Sequence, residues 1–312
     1  QEQRKSFLYW ITKRNQSNTT PRPVLFHEQS FLFVFLPIVF LGILALRQAA
    51  PKAGLWWATV CSVFFYGFHG WEHIPLLIGS ILLNYSIGRA VEKQKGSSSG
   101  TRLVALGVTL NLIILALFKY ADFLLETFTV LSGSASAPTG IALPLAISFF
   151  TFQQIAYLID LRKGEISTPT FGRYCLFVAF FPQLIAGPIV RCQRLMPQLV
   201  AGALGKLSKE TLWSGLCLFS LGLFKKTCLA DGVRPLADEV FAAAQDGTIL
   251  SLAEAWTGAT AFGLQIYFDF SAYSEMALGL GLLFGLRLPL NFDSPYKATN
   301  IIEFWRRWHI TL

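Results

Sequence analysis

The residue best placed for proton chemistry is His309. An imidazole changes charge near neutral pH, so a partly buried His can take up and return a proton under physiological conditions. His309 follows Asn300-Ile-Ile-Glu303, which has the residue types of a helix N-cap and its N3 partner. A helix is expected from that point. Ile301, Trp305, Trp308 and Leu312 then recur at helical spacing and form an apolar stripe. Glu303 can pair with Arg306 and Arg307 at i+3 and i+4. On such a helix His309 lies one turn beyond Trp305, beside the stripe. An amphipathic helix with this Trp content suits a membrane surface. Two readings fit these residues: a surface helix with an incidental His, or an imidazole that handles protons.

A second polar set lies in Gln265-Ile-Tyr-Phe-Asp269-Phe-Ser-Ala-Tyr273. Gln265, Asp269 and Tyr273 fall at i, i+4 and i+8, on one helical face. Polar groups inside apolar helices are expensive, and often functional. The face should point into a cavity or toward other helices; a structural hydrogen-bond cluster is the alternative. Gly281-Leu-Leu-Phe-Gly285 has the GxxxG spacing that lets helices approach closely. His69-Gly-Trp-Glu72-His73 matches a zinc-peptidase order of residues, but zinc needs both His on one helical face and a third ligand. Gly67, Gly70 and Pro75 make that stretch a loop, and no metal is expected. His27 precedes the first apolar run and is expected at the membrane interface. No strand precedes Gly279-Leu-Gly281 and no Walker lysine motif occurs, so a nucleotide-binding loop is excluded. The five Cys are scattered and mostly sit in apolar runs, as small buried hydrophobes do.

The elements that must position these residues are apolar. Of 312 residues, 14% are charged, against about 25% in soluble domains. The mean hydropathy is +0.50. Disorder, coiled coil, collagen and small disulfide scaffolds are excluded, and lipid is the expected solvent. Apolar runs lie at about Phe31–Leu46, Gly54–Phe68, Ile74–Ile87, Leu103–Phe118, Ile141–Ile159, Tyr174–Val190, Thr211–Phe224 and Leu252–Leu286. A spanning helix needs about 20 mainly apolar residues, which Ile141–Ile159 and Leu103–Tyr120 approach most closely.

The net charge of +8 is spread over short connections rather than gathered on one surface, so nucleic acid is not an expected partner. Basic stretches around Arg89–Arg102, Arg162–Arg173, Arg191–Lys209, Lys225–Lys226 and Arg287–Arg307 are expected on the cytoplasmic side. Ser132–Gly140 carries no charge and Ala242–Leu252 carries only Asp246, which places both outside. Tyr174–Val190 then has basic flanks at both ends. It contains Pro182, Gly187 and Pro188 in Phe-Phe-Pro-Gln-Leu-Ile-Ala-Gly-Pro, which cannot be one unbroken helix. Broken backbone at membrane depth is tolerated only inside protein or along a cavity. A re-entrant element lining a cavity is expected, with a kinked ordinary helix as the alternative. Thr211–Phe224 is short, has basic flanks and is expected to behave similarly.

At these residues the chain resembles a known family. Gln265–Leu312, Phe181-Pro-Gln-Leu-Ile-Ala-Gly-Pro-Ile-Val-Arg191, Ser80–Arg89 and Phe31–Pro37 are similar to the membrane-bound O-acyltransferase (MBOAT) family. The bacterial alginate O-acetylase-like branch is nearest. The resemblance covers about Val24–Leu312. It implies an all-α polytopic fold: a helical shell around a tunnel, with broken or re-entrant helices, in a bacterial cytoplasmic (inner) membrane. It implies an activated acyl donor such as acetyl-CoA as substrate, no bound cofactor, and acyl transfer toward an extracytoplasmic polysaccharide through a separate extracytoplasmic acetyltransferase. A polymer transporter or a non-catalytic membrane scaffold are the rival readings.

By the resemblance, His309 is one of two site histidines. The second, in a later apolar helix, is by the resemblance the catalytic one, so His309 is expected to act in acceptor positioning or proton transfer rather than as the sole base; the chain stops three residues after His309. Residues 24–312 are therefore expected to be the N-terminal two-thirds of such a domain, inactive alone. Asp269 and Tyr273 are expected to line or brace the tunnel, Gln183, Gly187, Pro188 and Arg191 to shape its re-entrant wall, and Trp305 and Arg306 to line the tunnel as well. The polar, basic segment 1–23 has no counterpart in the family pattern. Val24 stands where members begin with Met, so Val24 is expected to be the natural start. An intact mass that includes residues before Val24 in native protein would overturn this.

Overall fold

A computed structural model describes residues 26–68, 70–132, 143–185 and 187–312. The extension 1–23, Val24, His69 and residues 133–142 of the uncharged loop and the run after it lie outside the described residues. All regular structure among the described residues is helical. Helix α1 (Phe31–Ala49) opens with a π-helical turn over Phe31–Phe35. Ala50 is extended, as the residue before Pro51 must be, and α2 (Pro51–Gly67) begins there with proline in its first turn. Helix α3 (Ile74–Lys93) follows a short 3-10 turn, and α4 (Ser98–Ser132) follows the glycine-serine linker. Phe31–Ala49, Trp71–Lys93 and Ser98–Thr129 are each long and apolar enough to cross a membrane.

Helix α5 (Ile147–Lys163) is different. It is a central helix, with Phe150, Gln153, Gln154, Tyr157 and Leu158 all buried and Phe152 and Ile159 exposed on its other side. It ends at Gly164, which takes a left-handed conformation suited to a C-cap. Around it a chain of amide and hydroxyl groups joins four helices. Asn84 of α3 and Asn111 of α4 exchange hydrogen bonds at 3.2 and 2.7 Å. Gln154 donates to the Ser80 hydroxyl at 2.8 Å and accepts from Tyr174 at 3.1 Å. Such bonds hold helices together where lipid removes the hydrophobic drive for their association.

The stretch expected to be broken is broken. Helix α6 (Phe171–Ala179) stops at Phe180, α7 (Phe181–Leu184) is a single turn, and the chain is irregular at Ile185 and from Gly187 to Arg191 before α8 (Cys192–Val200). Phe177, Phe181 and Val190 are fully buried, so the irregular backbone lies inside protein as the solvation argument requires.

Thr211–Phe224 is not re-entrant. It forms most of α9 (Lys209–Phe224), which runs without a break through a π-helical turn at Lys225–Ala230 into α10 (Asp231–Gln245). At 1.5 Å per residue the run is about 55 Å long. Lys225 and Lys226 are therefore not a connecting loop. Acidic side chains neutralise them inside the helical run: Lys225 pairs with Glu275, and Lys226 pairs with Asp231 and Asp269, both at 2.8 Å.

Helix α11 (Leu252–Leu283) starts at a reciprocal Ser251–Glu254 capping box and returns along α9 and α10. Close approach between α9 and α11 comes from Gly215 and Gly222, seven residues apart on α9, and from Gly279 on α11. A Cβ on Gly222 would lie 2.6 Å from the Ala272 carbonyl oxygen, and one on Gly279 would lie 2.6 Å from the Phe219 nitrogen. Gly281 and Gly285 do not serve this purpose. Gly285 terminates α11 in a left-handed conformation, with the Leu286 N–H returning to the Gly281 carbonyl at 2.8 Å. Gly279→Ala should lower stability by roughly 1–3 kcal/mol through overpacking. Gly232→Ala, whose Cβ meets nothing within 4 Å, should be neutral or mildly stabilising. Thermal unfolding in detergent checks both; equal midpoints would contradict the glycine seam.

Candidate functional site

The expected C-terminal helix exists as α12 (Ile301–Arg307). The Asn300 side chain accepts from the Glu303 N–H at 2.9 Å. The reciprocal half of the box is displaced by one residue: Glu303 accepts from the N–H and hydroxyl of Thr299, each at 2.9 Å. Glu303 also pairs with Arg307 at 2.7 Å, while Arg306 is exposed. The helix stops before His309. Trp308 is its extended C-cap, and His309 has φ +47°, the left-handed region. His309 thus sits on a tight turn after the helix and not on the Trp305 stripe. The turn is held by two backbone bonds to the segment after α11: Asp293 N–H to Arg307 carbonyl at 3.0 Å, and Ile310 N–H to Asn291 carbonyl at 2.9 Å.

Aromatic rings fill the space between α12 and α11. Trp308 packs on Phe304, Phe292 and Tyr267 with ring centroids 5.6, 5.2 and 6.1 Å apart. Phe270 meets the His309 ring edge-on at 4.9 Å, and Phe149 of α5 lies 6.4 Å away. The imidazole is half-buried, and that burial lowers its pKa from the usual 6.5, so it is neutral at pH 7.

Fully buried Asn291 sits at the centre of the polar contacts. Its Oδ1 lies 2.9 Å from His309 Nδ1 and 2.9 Å from Thr311 Oγ1. Its Nδ2 donates to Ser274 Oγ at 3.0 Å. Thr311 Oγ1 in turn accepts from the Ile189 N–H at 2.9 Å. The His309 turn is therefore tied to the broken segment between α7 and α8. A small cleft opens there, lined by Phe149, Gln183, Pro188, Ile189 and Val190. Phe149 borders both the cleft and the imidazole.

The expected residues divide. Gln183 and Pro188 line the cleft, and the buried Gln183 Oε1 has no partner among the described residues. Gly187 makes the irregular turn possible, since a Cβ there would lie 2.5 Å from the Gln183 Cα. Arg191 is the exposed N-cap residue of α8 and does not line the cleft. Trp305 is 61% exposed on the outer face of α12.

Asp269 and Tyr273 have their partners elsewhere. Asp269 pairs with Lys226, and the Tyr273 ring stacks on Phe26 at 4.4 Å with its hydroxyl unpartnered among the described residues. The face of α11 that addresses His309 carries Tyr267, Phe270 and Ser274, at i, i+3 and i+7, on the opposite side of the helix. Sequence reasoning missed this face, and it missed Asn291. The available signal for Asn291 was a lone amide between Leu290 and Phe292.

Comparison with known sequences gives the family. The pattern of the MBOAT, membrane-bound O-acyltransferase family, matches residues 97–312. The chain belongs to this family. This MBOAT chain is 42% identical to a peptidoglycan O-acetyltransferase of Helicobacter pylori, over 93% of the chain and 59% of that protein. It is 38% identical to a probable alginate O-acetylase of Azotobacter vinelandii, over 93% of the chain and 57% of that protein. It is 25% identical to a teichoic acid D-alanyltransferase of Bacillus subtilis, over 91% of the chain and 71% of that protein. The chain thus spans under three-fifths of the length of its O-acetylase relatives.

The anchoring of α12 in this MBOAT chain should respond to acid. The Thr299 N–H, then Arg307 and the Thr299 hydroxyl, hold the Glu303 carboxyl down at about 2 from the usual 4.5. A depressed acid stabilises the folded form above its unfolded value and loses that contribution as pH falls through its folded one. Trp fluorescence should therefore report loosening of α12 between about pH 4.5 and 2. Glu303→Gln should remove that transition, and an unchanged acid transition in the variant would refute the assignment.

Proposed function

We propose that this protein is the membrane-embedded acyltransferase of a bacterial cell-surface O-acetylation system. It transfers acetyl groups from a cytoplasmic activated donor such as acetyl-CoA toward an extracytoplasmic polysaccharide, and a separate extracytoplasmic acetyltransferase places them on the glycan. The inner membrane, crossed several times, is the location this requires. The observation that carries the reading is the neutral, half-buried His309, anchored by Asn291 next to a cleft in the broken segment, inside an apolar helical shell. Family membership supplies acyl transfer as the class of chemistry. Acetyl is favoured over D-alanyl because the O-acetylase relatives are 37–42% identical and the D-alanyltransferases 25–31%.

In this reading the His309 imidazole positions the acceptor hydroxyl or helps pass its proton, together with the second histidine the family resemblance implies, and loss of that proton raises the oxygen's nucleophilicity toward a thioester carbonyl. The oxygen attacks the carbonyl carbon, the C–S bond breaks, and the proton passes to the departing thiolate. The apolar walls around the imidazole keep water, a competing acceptor, away from the thioester. His309→Ala in the intact protein should lower O-acetylation of cell-surface polysaccharide by about 100-fold, the lower end of the scale for losing a group that assists proton transfer. Protein levels in the membrane should be unchanged. Undiminished O-acetyl content across all surface glycans in a strain lacking the gene would overturn the proposal.

A further inference from the structure

We propose that the side-chain oxygen of Gln183 is a binding group for the acyl donor: it accepts a hydrogen bond from a secondary-amide N–H carried between methylene groups on the arm of a thioester. The thioester as ligand rests on the function proposed above; the unfilled acceptor in the cleft wall does not.

The orientation of the Gln183 amide is fixed by what its nitrogen faces. Nε2 donates to the Phe177 carbonyl. A backbone carbonyl oxygen can only accept, so a flipped amide would set oxygen against oxygen there. That carbonyl is available because α6 stops at Phe180: the Phe181 N–H, its partner in a continuous helix, donates to Ser62 instead. Gln183 Oε1 is therefore turned away from Phe177. The residue is only 3% exposed, and no described residue donates to that oxygen. A buried acceptor left without a donor is costly, and in a folded protein it calls for a partner.

The other polar groups of the wall are already used. Gln153 Nε2 donates to the Phe177 and Val190 carbonyls at 3.1 and 3.2 Å, the Ile189 N–H donates to Thr311 at 2.9 Å, and Pro188 has no N–H. Phe149, Leu184, Ile189 and Val190 supply apolar surface, and no charged side chain lines the cleft. Its empty space is about 190 Å³. That is less than a site for a whole ligand, and suits one section of a narrow chain.

These features choose between ligands. A sugar brings several hydroxyls, each of which would be stripped of water against a wall with one acceptor to offer. A charged group would find no counter-ion there. A methylene chain interrupted by an amide N–H matches the wall, with one donor for one acceptor and an apolar stem against apolar side chains. The arm of an acyl thioester can have this form. The position suits the donor as well. The broken segment ends at exposed Arg191, in a basic stretch expected on the cytoplasmic side, while Phe149 borders both the cleft and the His309 ring. An arm held at Gln183 leads its thioester from the cytoplasmic side toward the imidazole. Gln183 itself forms no covalent bond and moves no proton; it holds the arm.

Deleting the N–H from the ligand tests this directly. Two thioethers that cannot transfer an acyl group are titrated into the intact protein in nanodiscs, with binding read by ligand-observed NMR. One is the acetamide of S-ethylcysteamine; the other is the matching acetate ester, with oxygen in place of the N–H. The parent should bind the amide roughly 3–10-fold more tightly, the scale of one neutral hydrogen bond. In Gln183→Leu the two affinities should agree within about twofold, because the acceptor is gone. Leucine leaves the Phe177 carbonyl its Gln153 donor, so the substitution strands no polar group on that side. Equal affinities in the parent overturn the proposal without any variant, and so does a preference that survives in Gln183→Leu. Binding here involves no turnover. A preference for the amide in a protein that transfers no acyl group would keep the acceptor site and refute the acyltransferase reading. With the corresponding acetyl thioesters as substrates, Gln183→Leu should raise the donor KM about 3–10-fold for the amide compound alone, with kcat little changed. An equal fall in kcat for both thioesters, with KM unmoved, would make Gln183 structural and overturn the proposal.

Discussion

Breaking a helix inside an apolar shell leaves backbone N–H and C=O groups that no water reaches, and their satisfaction governs this structure. The freed groups between α6 and α8 are met by side chains from three directions. Gln153 of α5 donates to the Phe177 carbonyl at 3.1 Å and the Val190 carbonyl at 3.2 Å, spanning the break like a staple. Ser62 of α2 accepts from the Phe181 N–H at 3.2 Å. Thr311 accepts from the Ile189 N–H. Each of these bonds replaces one a continuous helix would have made for itself, and an unreplaced group would cost several kcal/mol in hydrocarbon. The C-terminal turn that carries His309 is thus part of what makes the broken segment tolerable, and fold and site share one hydrogen-bond network.

The same constraint explains why α5 is polar and central. Gln153 serves the break on one side, and Gln154 reaches Ser80 and Tyr174 on another. Asn84 and Asn111 extend the polar contacts outward to α4. Between α9 and α11, association uses the other available means, glycine-mediated backbone contact over a heptad spacing. The two groups of helices are therefore held by different physics, amides in one and close packing with ion pairs in the other.

The all-helical architecture, the apolar runs and the break at Pro182–Pro188 were legible in the sequence, because each follows from composition or from a residue that cannot continue a helix. Position within the shell was not. Ile141–Ile159 has span-like hydropathy, yet Ile147–Lys163 is the most enclosed of the long helices, since apolar content cannot distinguish burial against protein from burial against lipid. The Lys225–Lys226 pair looked like a loop because its carboxylate partners lie some 40–50 residues onward in the case of Asp269 and Glu275. His309 was found by residue type and context. Its anchor was not, because Asn291 lies 18 residues away and only the chain reversal brings the two together.

Helix α11 shows why a correct periodicity can still select the wrong face. Gln265, Asp269 and Tyr273 do share a side, and the polar pattern draws attention to it. That side faces the helical run from Lys209 to Gln245 and the N-terminal Phe26, where Asp269 answers Lys226 and Tyr273 stacks. The opposite side, with Tyr267, Phe270 and Ser274, reads as ordinary apolar helix with a small hydroxyl. It is nevertheless the side that meets Trp308, His309 and Asn291. The division has a physical logic. An ion pair against the imidazole would impose its field on it directly, and the aromatic rings and one neutral amide that touch it impose little. Placing the Asp269 and Glu275 pairs on one face of α11 and the imidazole on the other lets a single helix carry both the charges that pair with Lys225 and Lys226 and the apolar wall that half-buries His309.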